Sequence, residues 1–303
     1  MISVVIPNYK RIDTLIRSLK SVFNQTYKGT IEIIVVDDCS PNYLEIENKV
    51  SCLRIPDNIS IKMLRHEKNK YASAARNTGI LNCNGKFLAL LDSDDCWKYD
   101  YLENQLDYYR KNDNKNGLEF VLFGVCNNIL EEGGWVQPVR GVLFDERVEE
   151  YIFLHRQCCQ TSTLFSSVNT FRNNLFDESL KALQDPSFAI NAAYNGCQMK
   201  FNPNAEVLRY LDWQEGNDHV GRKLDSDFLN FWLAKHSSKM TPLGVDAFRL
   251  RYVSKNRTKL MAKYFFKLNS IAIFRLGCKE IIKSSISSIY NSNFIKKMRV
   301  KIK

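Results

Sequence analysis

The sequence predicts an α/β fold, a mostly parallel sheet flanked by helices, and three observations carry that prediction. Short apolar runs recur between residues 3 and 91, alternating with stretches whose apolar residues repeat at helical spacing. Two of these runs end abruptly in carboxylates, Asp37-Asp38 and Asp92-Ser93-Asp94-Asp95, at the strand ends where open α/β sheets gather ligands. The 303 residues suffice for one large domain with an appendage, and no clean linker interrupts them before about residue 230.

Taken in order, Ser3 to Ile6 reads as a first strand stopped by Pro7-Asn8. Leu15, Ile16, Leu19, Val22 and Phe23 then mark one helix face. Ile31 to Val36 is a second strand, Ile61 to Leu64 a third, and Ala72 to Leu81 a helix. Phe87 to Leu91 is the fourth strand, apolar throughout as a strand covered on both faces should be. After a helix around Tyr101 to Lys111, Leu118 to Asn127 reads as a strand, and the glycines and proline between Glu132 and Phe144 suggest a hairpin or long loop. Val148 to Leu154 and a segment from near Pro186 to Tyr194 read as helices, and Val207 to Tyr210 as a strand.

Three carboxylates in four positions repel one another unless something positive joins them, and a cation held in a cleft is the obvious candidate. On an extended segment, alternate positions point the same way, so Asp92 and Asp94 address one ligand while Ser93 points elsewhere. Two common nucleotide sites are excluded. The turn after the first strand is PNYKRID, without the glycines of a G-x-G-x-x-G dinucleotide loop, and no G-x-x-x-x-G-K-[ST] loop exists. What remains is a site where aromatic and carboxylate side chains hold a nucleotide whose phosphates a metal bridges.

VVIPNYKRIDTLIRSLKSVFNQT, IEIIVVDDCS and NKYASAARNTGILNCNGKFLALLDSDDCW, in this order across residues 3 to 97, resemble family-2 nucleotide-sugar glycosyltransferases of the GT-A fold. That fold is Rossmann-like, with a mixed central sheet flanked by helices. The resemblance loosens towards residue 225. It implies a catalytic domain over 1–230, with a nucleotide-binding half (1–115) and an acceptor-binding half (116–230), followed by a tail over 231–303.

The resemblance implies roles for individual residues. Tyr9 is expected to stack on the base within the loop of Pro7 and Asn8, and Asp38, beside Asp37, to accept a hydrogen bond from the base. Arg76, in the ARN-x-G element, pairs with an acid of the site or with diphosphate. Asp92 is expected to meet the ribose or a metal-bound water, and Ser93 belongs to the same nucleotide-sugar segment. Asp94 is the direct ligand of Mn²⁺ or Mg²⁺, and Asp95 lies near the sugar or caps the next helix. Gln184-Asp185 matches a segment that is commonly Glu-Asp, which makes Asp185 the base that deprotonates the acceptor and also an apparent N-cap before Pro186. The hydroxyls of Thr161, Ser162 and Thr163 are candidates for sugar binding, Trp135 is a candidate to stack on a sugar ring, and His219, which with Trp213 follows the last strand where related enzymes fold a loop over the donor, is a candidate to meet phosphate or acceptor.

The expected reaction is inverting transfer of a sugar, with UDP the favoured nucleotide, to a glycan or lipid-linked oligosaccharide of a surface polysaccharide. Two alternatives stand beside it. A nucleotidyltransferase would need a glycine-rich basic loop, and PNYKRID has the basic pair without the glycine. An inactive domain serving as a partner subunit would have no need of Asp38, Asp92, Asp94 and Asp185.

The net charge of +10 is unevenly placed: Val245 to Lys303 holds 15 Lys and Arg against Asp246 and Glu280. Lys255, Lys259, Lys263 and Lys267 fall on one helical face amid aromatics, a pattern expected of a helix at an anionic membrane surface. A homo-oligomer-forming appendage is the competing expectation, and nucleic acid is disfavoured because no recognition motif accompanies the charge. No readable secretory leader, no long apolar span and nine cysteines without C-x-x-C spacing suggest a cytoplasmic protein attached peripherally to the membrane's inner face.

Overall fold

The computed structural model describes residues 1–113, 118–211 and 224–253. The chain enters on β1 (Ile2–Asn8), α1 (Asp13–Phe23), β2 (Ile31–Asp37), α2 (Tyr43–Ser51), β3 (Ile59–Arg65), α3 (Tyr71–Asn82) and β4 (Phe87–Leu90). It continues through β5 (Asp95–Trp97), α4 (Tyr101–Asn112), β6 (Phe120–Leu130), β7 (Gly133–Gln137), α5 (Val148–Phe153), β8 (Phe165–Ser167) and α6 (Val168–Asn173). Helix α7 (Gln184–Tyr194), β9 (Gln198–Tyr210) and α8 (Ser226–His236) follow.

The sheet has nine strands in the order β3-β2-β1-β4-β8-β6-β9-β5, with β7 added to β6. β3, β2, β1 and β4 are parallel, β8 is antiparallel to β4 and β6, and β5 is antiparallel to β9. Only four residues separate β4 from β5, yet β5 lies at the far edge of the order. The sheet must therefore curl round on itself, and the Asp92–Asp95 turn is the short bridge across the curl. This is the mixed, helix-flanked GT-A architecture.

The central strands are buried on both faces, which explains their unbroken apolar runs. Glu32 is tolerated within β2 because Ser3 Oγ and Asn84 N and Nδ2 all donate to its carboxylate within 2.8 Å. Helix α1 lays Leu15, Leu19 and Val22 on the sheet. Helix α3 approaches β1 so closely that a Cβ at Gly79 would lie 2.3 Å from Val5 Cγ1. That small residue lets α3 press towards the ends of β1 and β2.

Pro7 and Asn8 do not stop β1, which runs through both, with Pro7 in register with Val36. The β1–β4 ladder ends at Val5 and Leu90, and Asn8 O accepts from Asp38 N on the β2 side. Pro7 therefore directs its missing N–H towards β4, beyond the end of that ladder.

The first compact unit covers Met1–Thr241 and so includes α8, whose buried Trp232 donates to Ser187 Oγ at 2.8 Å. The domain boundary expected at 230 falls inside this helix. A second unit begins at Pro242, where α9 (Pro242–Phe248) opens it. The lysine-rich stretch of the tail lies outside the described residues, as do Trp213 and His219. Among the described residues no helix is long and apolar enough to cross a membrane.

Candidate active site

The C-terminal ends of β1, β2 and β4 carry the candidate residues, and α3 and α7 supply their partners. Four of the five non-glycine residues at positive φ among the described residues lie here, Lys10 after β1, Cys39 after β2, Tyr71 opening α3 and Leu183 before α7, at φ 62°, 65°, 68° and 55°, the fifth being Arg156 after α5. Such conformations are costly, and their concentration at strand and helix ends is what a built site leaves behind.

At one pole Asp37 is fully buried; Oδ1 accepts from Ser40 N at 2.7 Å and Oδ2 from Asn8 Nδ2 at 3.4 Å. One oxygen thus holds the turn after β2 and the other holds Asn8 of β1. Asp38 differs. Its Oδ1 takes both Lys70 N at 2.8 Å and His66 Nδ1 at 2.7 Å, and the far side of the His66 ring meets Thr78 Oγ1 at 2.9 Å. This buried relay from Thr78 on α3 fixes the Asp38 carboxylate, and sequence reasoning missed both of its outer members. Tyr9 is 40% exposed, its ring free enough to meet a ligand, with Lys10 Nζ 4.8 Å from the ring centroid.

At the other pole the Asp92–Asp95 segment is not extended. Asp95 N bonds Asp92 O at 3.1 Å, which makes a turn, and the convergence expected from strand alternation arises from that turn instead. Oxygens of Asp92, Asp94 and Asp95 lie within 4.8 Å of one another. Ser93 does not point away alone, because Arg11 Nη1 reaches both its Oγ at 3.5 Å and Asp94 Oδ2 at 3.0 Å.

Asp95 neither caps the next helix nor lies open to a sugar. It lies in β5 opposite Arg209, buried, and accepts from Ser162 Oγ at 2.6 Å and Gln160 Nε2 at 3.0 Å. Burial and the neighbouring Asp94 push its carboxyl up to about 7, against the pull of Arg209. Through these contacts it ties the turn after β4 to β9. Thr161, Ser162 and Thr163 form a buried 3-10 turn whose hydroxyls donate to Asp185, Asp95 and Gln160 O.

Arg76 joins the two halves. Its Nη2 donates to Asp92 Oδ1 at 2.6 Å and its Nη1 to Gln184 Oε1 at 2.7 Å. Burial opposes its charge, but Asp92, Asp185 and Asp94 outweigh it and hold the guanidinium above its ordinary value. Gln184, neutral where the resemblance expects Glu, thus accepts from the same arginine that balances Asp92.

Asp185 lies in the first turn of α7 and is not its cap. Leu183, left-handed, fills that position without a side-chain bond, and the Asp185 carboxylate instead accepts from Thr161 Oγ1. Burial raises its proton affinity; Arg76 pulls the other way, Asp92 adds to the rise, and the net shift is upward. A carboxylate so disposed, in a helix's first turn, suits general-base chemistry.

Residues 3–174 match the profile described as Glycosyl transferase family 2. The amylovoran biosynthesis glycosyltransferase AmsB of Erwinia amylovora is 28% identical over 280 residues, which is 88% of this chain and 91% of its own. A glycosyltransferase of Haemophilus influenzae is 32% identical, with 73% of this chain and 76% of its own covered. One from Rickettsia conorii is 34% identical over 195 residues, and there this chain spans only 30% of the relative's length. Among solved structures, S. aureus TarS 1–349 in complex with UDP-GlcNAc shares the fold at a TM-score of 0.61 and 17% identity, with 92% of this chain and 76% of that one covered. The profile spans the strands that carry Asp38 and Asp92–Asp95 and over half of the residues, and this chain belongs to glycosyl transferase family 2.

Proposed function

We propose that the protein is a metal-dependent, inverting glycosyltransferase. It moves a sugar from a nucleotide diphosphate donor, a UDP-sugar, onto a glycan or lipid-linked oligosaccharide during surface polysaccharide synthesis. The observation that carries the reading is Arg76, which spans from Asp92 of the carboxylate turn to Gln184, the residue before Asp185. On this reading Arg76 links the donor-side acid to the segment that carries the acceptor-side base. The name of the amylovoran relative supports the polysaccharide context, and the UDP-GlcNAc and UDP complexes of TarS support a uridine nucleotide.

The donor set fits Mn²⁺ or Mg²⁺, since hard carboxylate oxygens converge within 4.8 Å. Asp94, with Asp92, would hold the cation, because the oxygens of Asp95 are committed to Ser162, Gln160 and Arg209. When bound, the cation supplies charge neutralisation for the leaving diphosphate. The chain's own residues do the rest. Asp38, locked by His66, accepts from the base, and Tyr9 stacks on it. Asp185 takes the proton from the acceptor hydroxyl as that oxygen attacks the anomeric carbon from the face opposite the diphosphate. Its raised proton affinity suits that task, and Thr161 fixes the direction of its carboxylate.

A screen of nucleotide-sugar donors with purified protein and Mn²⁺, scored by release of nucleoside diphosphate, tests the reading. One donor should be turned over and EDTA should stop it; a protein silent towards every donor in the presence of acceptor glycans would contradict it. The reading extends to attachment of the basic tail to the cytoplasmic face of the membrane. Full-length protein should co-sediment with anionic vesicles, and replacing Lys255, Lys259, Lys263 and Lys267 by Gln should release it; unchanged sedimentation would refute the attachment.

A further inference from the structure

Each carboxylate of the turn forms an ion pair with one arginine, while Arg17 Nη2 donates to the backbone O of Asp94 at 2.7 Å, and the three arginines that pair with carboxylates are held with different firmness. Arg76, beside Asp92, has a side chain 6% exposed and is anchored at its other end by Gln184. Arg209 is fixed in β9, in register with Asp95, and its Nη1 donates to Asn128 Oδ1 at 3.2 Å. Arg11 is different: its side chain is 40% exposed, it belongs to the loop between β1 and α1, and it reaches Asp94 from outside. The root of that loop is fixed, because left-handed Lys10 donates its N–H to Ser40 Oγ at 2.7 Å. The guanidinium can therefore leave Asp94 by side-chain rotation alone.

Building on the cation reading above, we infer that Arg11 is a displaceable counter-ion of Asp94. It neutralises that carboxylate when the site carries no divalent cation, yields it when the cation binds, and then pairs with the donor's diphosphate. Three physical arguments carry this. A guanidinium does not deprotonate at working pH, so it can vacate a carboxylate only by moving. A cation drawn to the same carboxylate at the usual distance of about 2.0–2.6 Å would crowd a second positive charge now 3.0 Å from Asp94 Oδ2. An exposed ion pair is weak, about 1 kcal/mol or less, so it yields readily, and the planar fork matches phosphate oxygens well. Arg11 thus supplies the positive charge that balances Asp94 in the cation-free site.

The test is Mn²⁺ binding to the full-length, nucleotide-free protein, read from the paramagnetic resonance signal of free Mn²⁺, followed by calorimetric binding of UDP at saturating Mn²⁺. Wild type, Arg11→Gln, Arg11→Lys and Asp94→Asn are compared, with thermal melting to confirm folding. Arg11→Gln should bind Mn²⁺ about two- to fivefold more tightly, the range set by loss of an exposed ion pair. The same variant should bind UDP about three- to tenfold more weakly, and Arg11→Lys, which keeps charge but not the fork, should lie between. Unchanged or weaker Mn²⁺ binding in Arg11→Gln would overturn the competition, and unchanged UDP binding would overturn the transfer to diphosphate. Asp94→Asn separates the causes. If Mn²⁺ binding ignores Asp94, the cation reading falls and this inference with it; if binding needs Asp94 but ignores Arg11, the inference alone falls.

Discussion

Asp185→Asn removes a base while keeping its shape. The carboxylate accepts from Thr161 Oγ1 in the first turn of α7, and an amide oxygen can accept the same bond. A hydrogen bond to a charged acceptor becomes one to a neutral acceptor, at a cost of about 1 kcal/mol, part of which is offset because burial already disfavours the charge. Folding should therefore survive. Turnover should not: loss of a positioned general base lowers kcat by about 10² to 10⁴. Asp185→Ala adds only the stranding of the Thr161 hydroxyl, since Leu183 rather than Asp185 stands at the N-cap. The base must be deprotonated to work, and its proton affinity is raised above the ordinary 3.8. The acid limb of the wild-type rate should accordingly lie above that value, with activity falling as pH drops, and should vanish from the residual rate of Asp185→Asn. The assay pairs kcat, measured with donor and acceptor, with calorimetric UDP binding, which should stay nearly unchanged. Transfer within threefold of wild type would refute the assignment.

Three further outcomes follow from particular contacts. His66→Ala leaves Asp38 with Lys70 N alone on Oδ1, and UDP affinity should fall by about five- to tenfold, on the scale of one buried hydrogen bond, with His66→Gln largely restoring it; UDP binding at wild-type strength in the alanine variant would refute the relay. Gly79→Ala should destabilise by about 1–3 kcal/mol despite the better helix former, because the added methyl meets Val5 in the core, and a raised melting temperature would contradict this. Burial opposes the charge of Glu146, but the paired bonds from Arg140, at 2.6 and 2.7 Å, and one from Leu143 N hold its carboxyl below the ordinary 4.5. A depressed pKa gives stability present above about 4.5 and lost as pH falls through the lower folded value. The melting-temperature gap between wild type and Glu146→Gln should thus be full at neutral pH and close on acidification, and a gap independent of pH would refute it.

The strands that frame the site were legible because central parallel strands must be apolar on both faces, and β1, β2 and β4 write that requirement directly into the sequence. The acids at their ends were legible because nothing local explains them. What escaped depends on contacts distant in sequence. β5 is three residues long and begins with an aspartate, so no periodicity marks it; it exists because Arg209 and β9 lie opposite. The same pairing converts Asp95 from an apparent ligand into a buried tie. Asp185 looked like an N-cap because Asp-Pro is a strong start signal, yet the cap lies two residues earlier on a left-handed leucine, a conformation leucine rarely takes. His66 and Thr78, twelve residues apart on a strand end and a helix, carry no motif; only packing of α3 against the sheet brings them to Asp38.

The central claim is that the carboxylate turn after β4 receives a nucleotide diphosphate together with a divalent cation. Calorimetric binding of UDP with and without Mn²⁺, to wild type and to Asp94→Ala, tests it most directly. Wild type should bind UDP far more tightly with Mn²⁺, and Asp94→Ala, though folded, should lose that dependence. UDP binding equally strong with and without Mn²⁺ in wild type, or a Mn²⁺ dependence that survives in Asp94→Ala, would contradict the account.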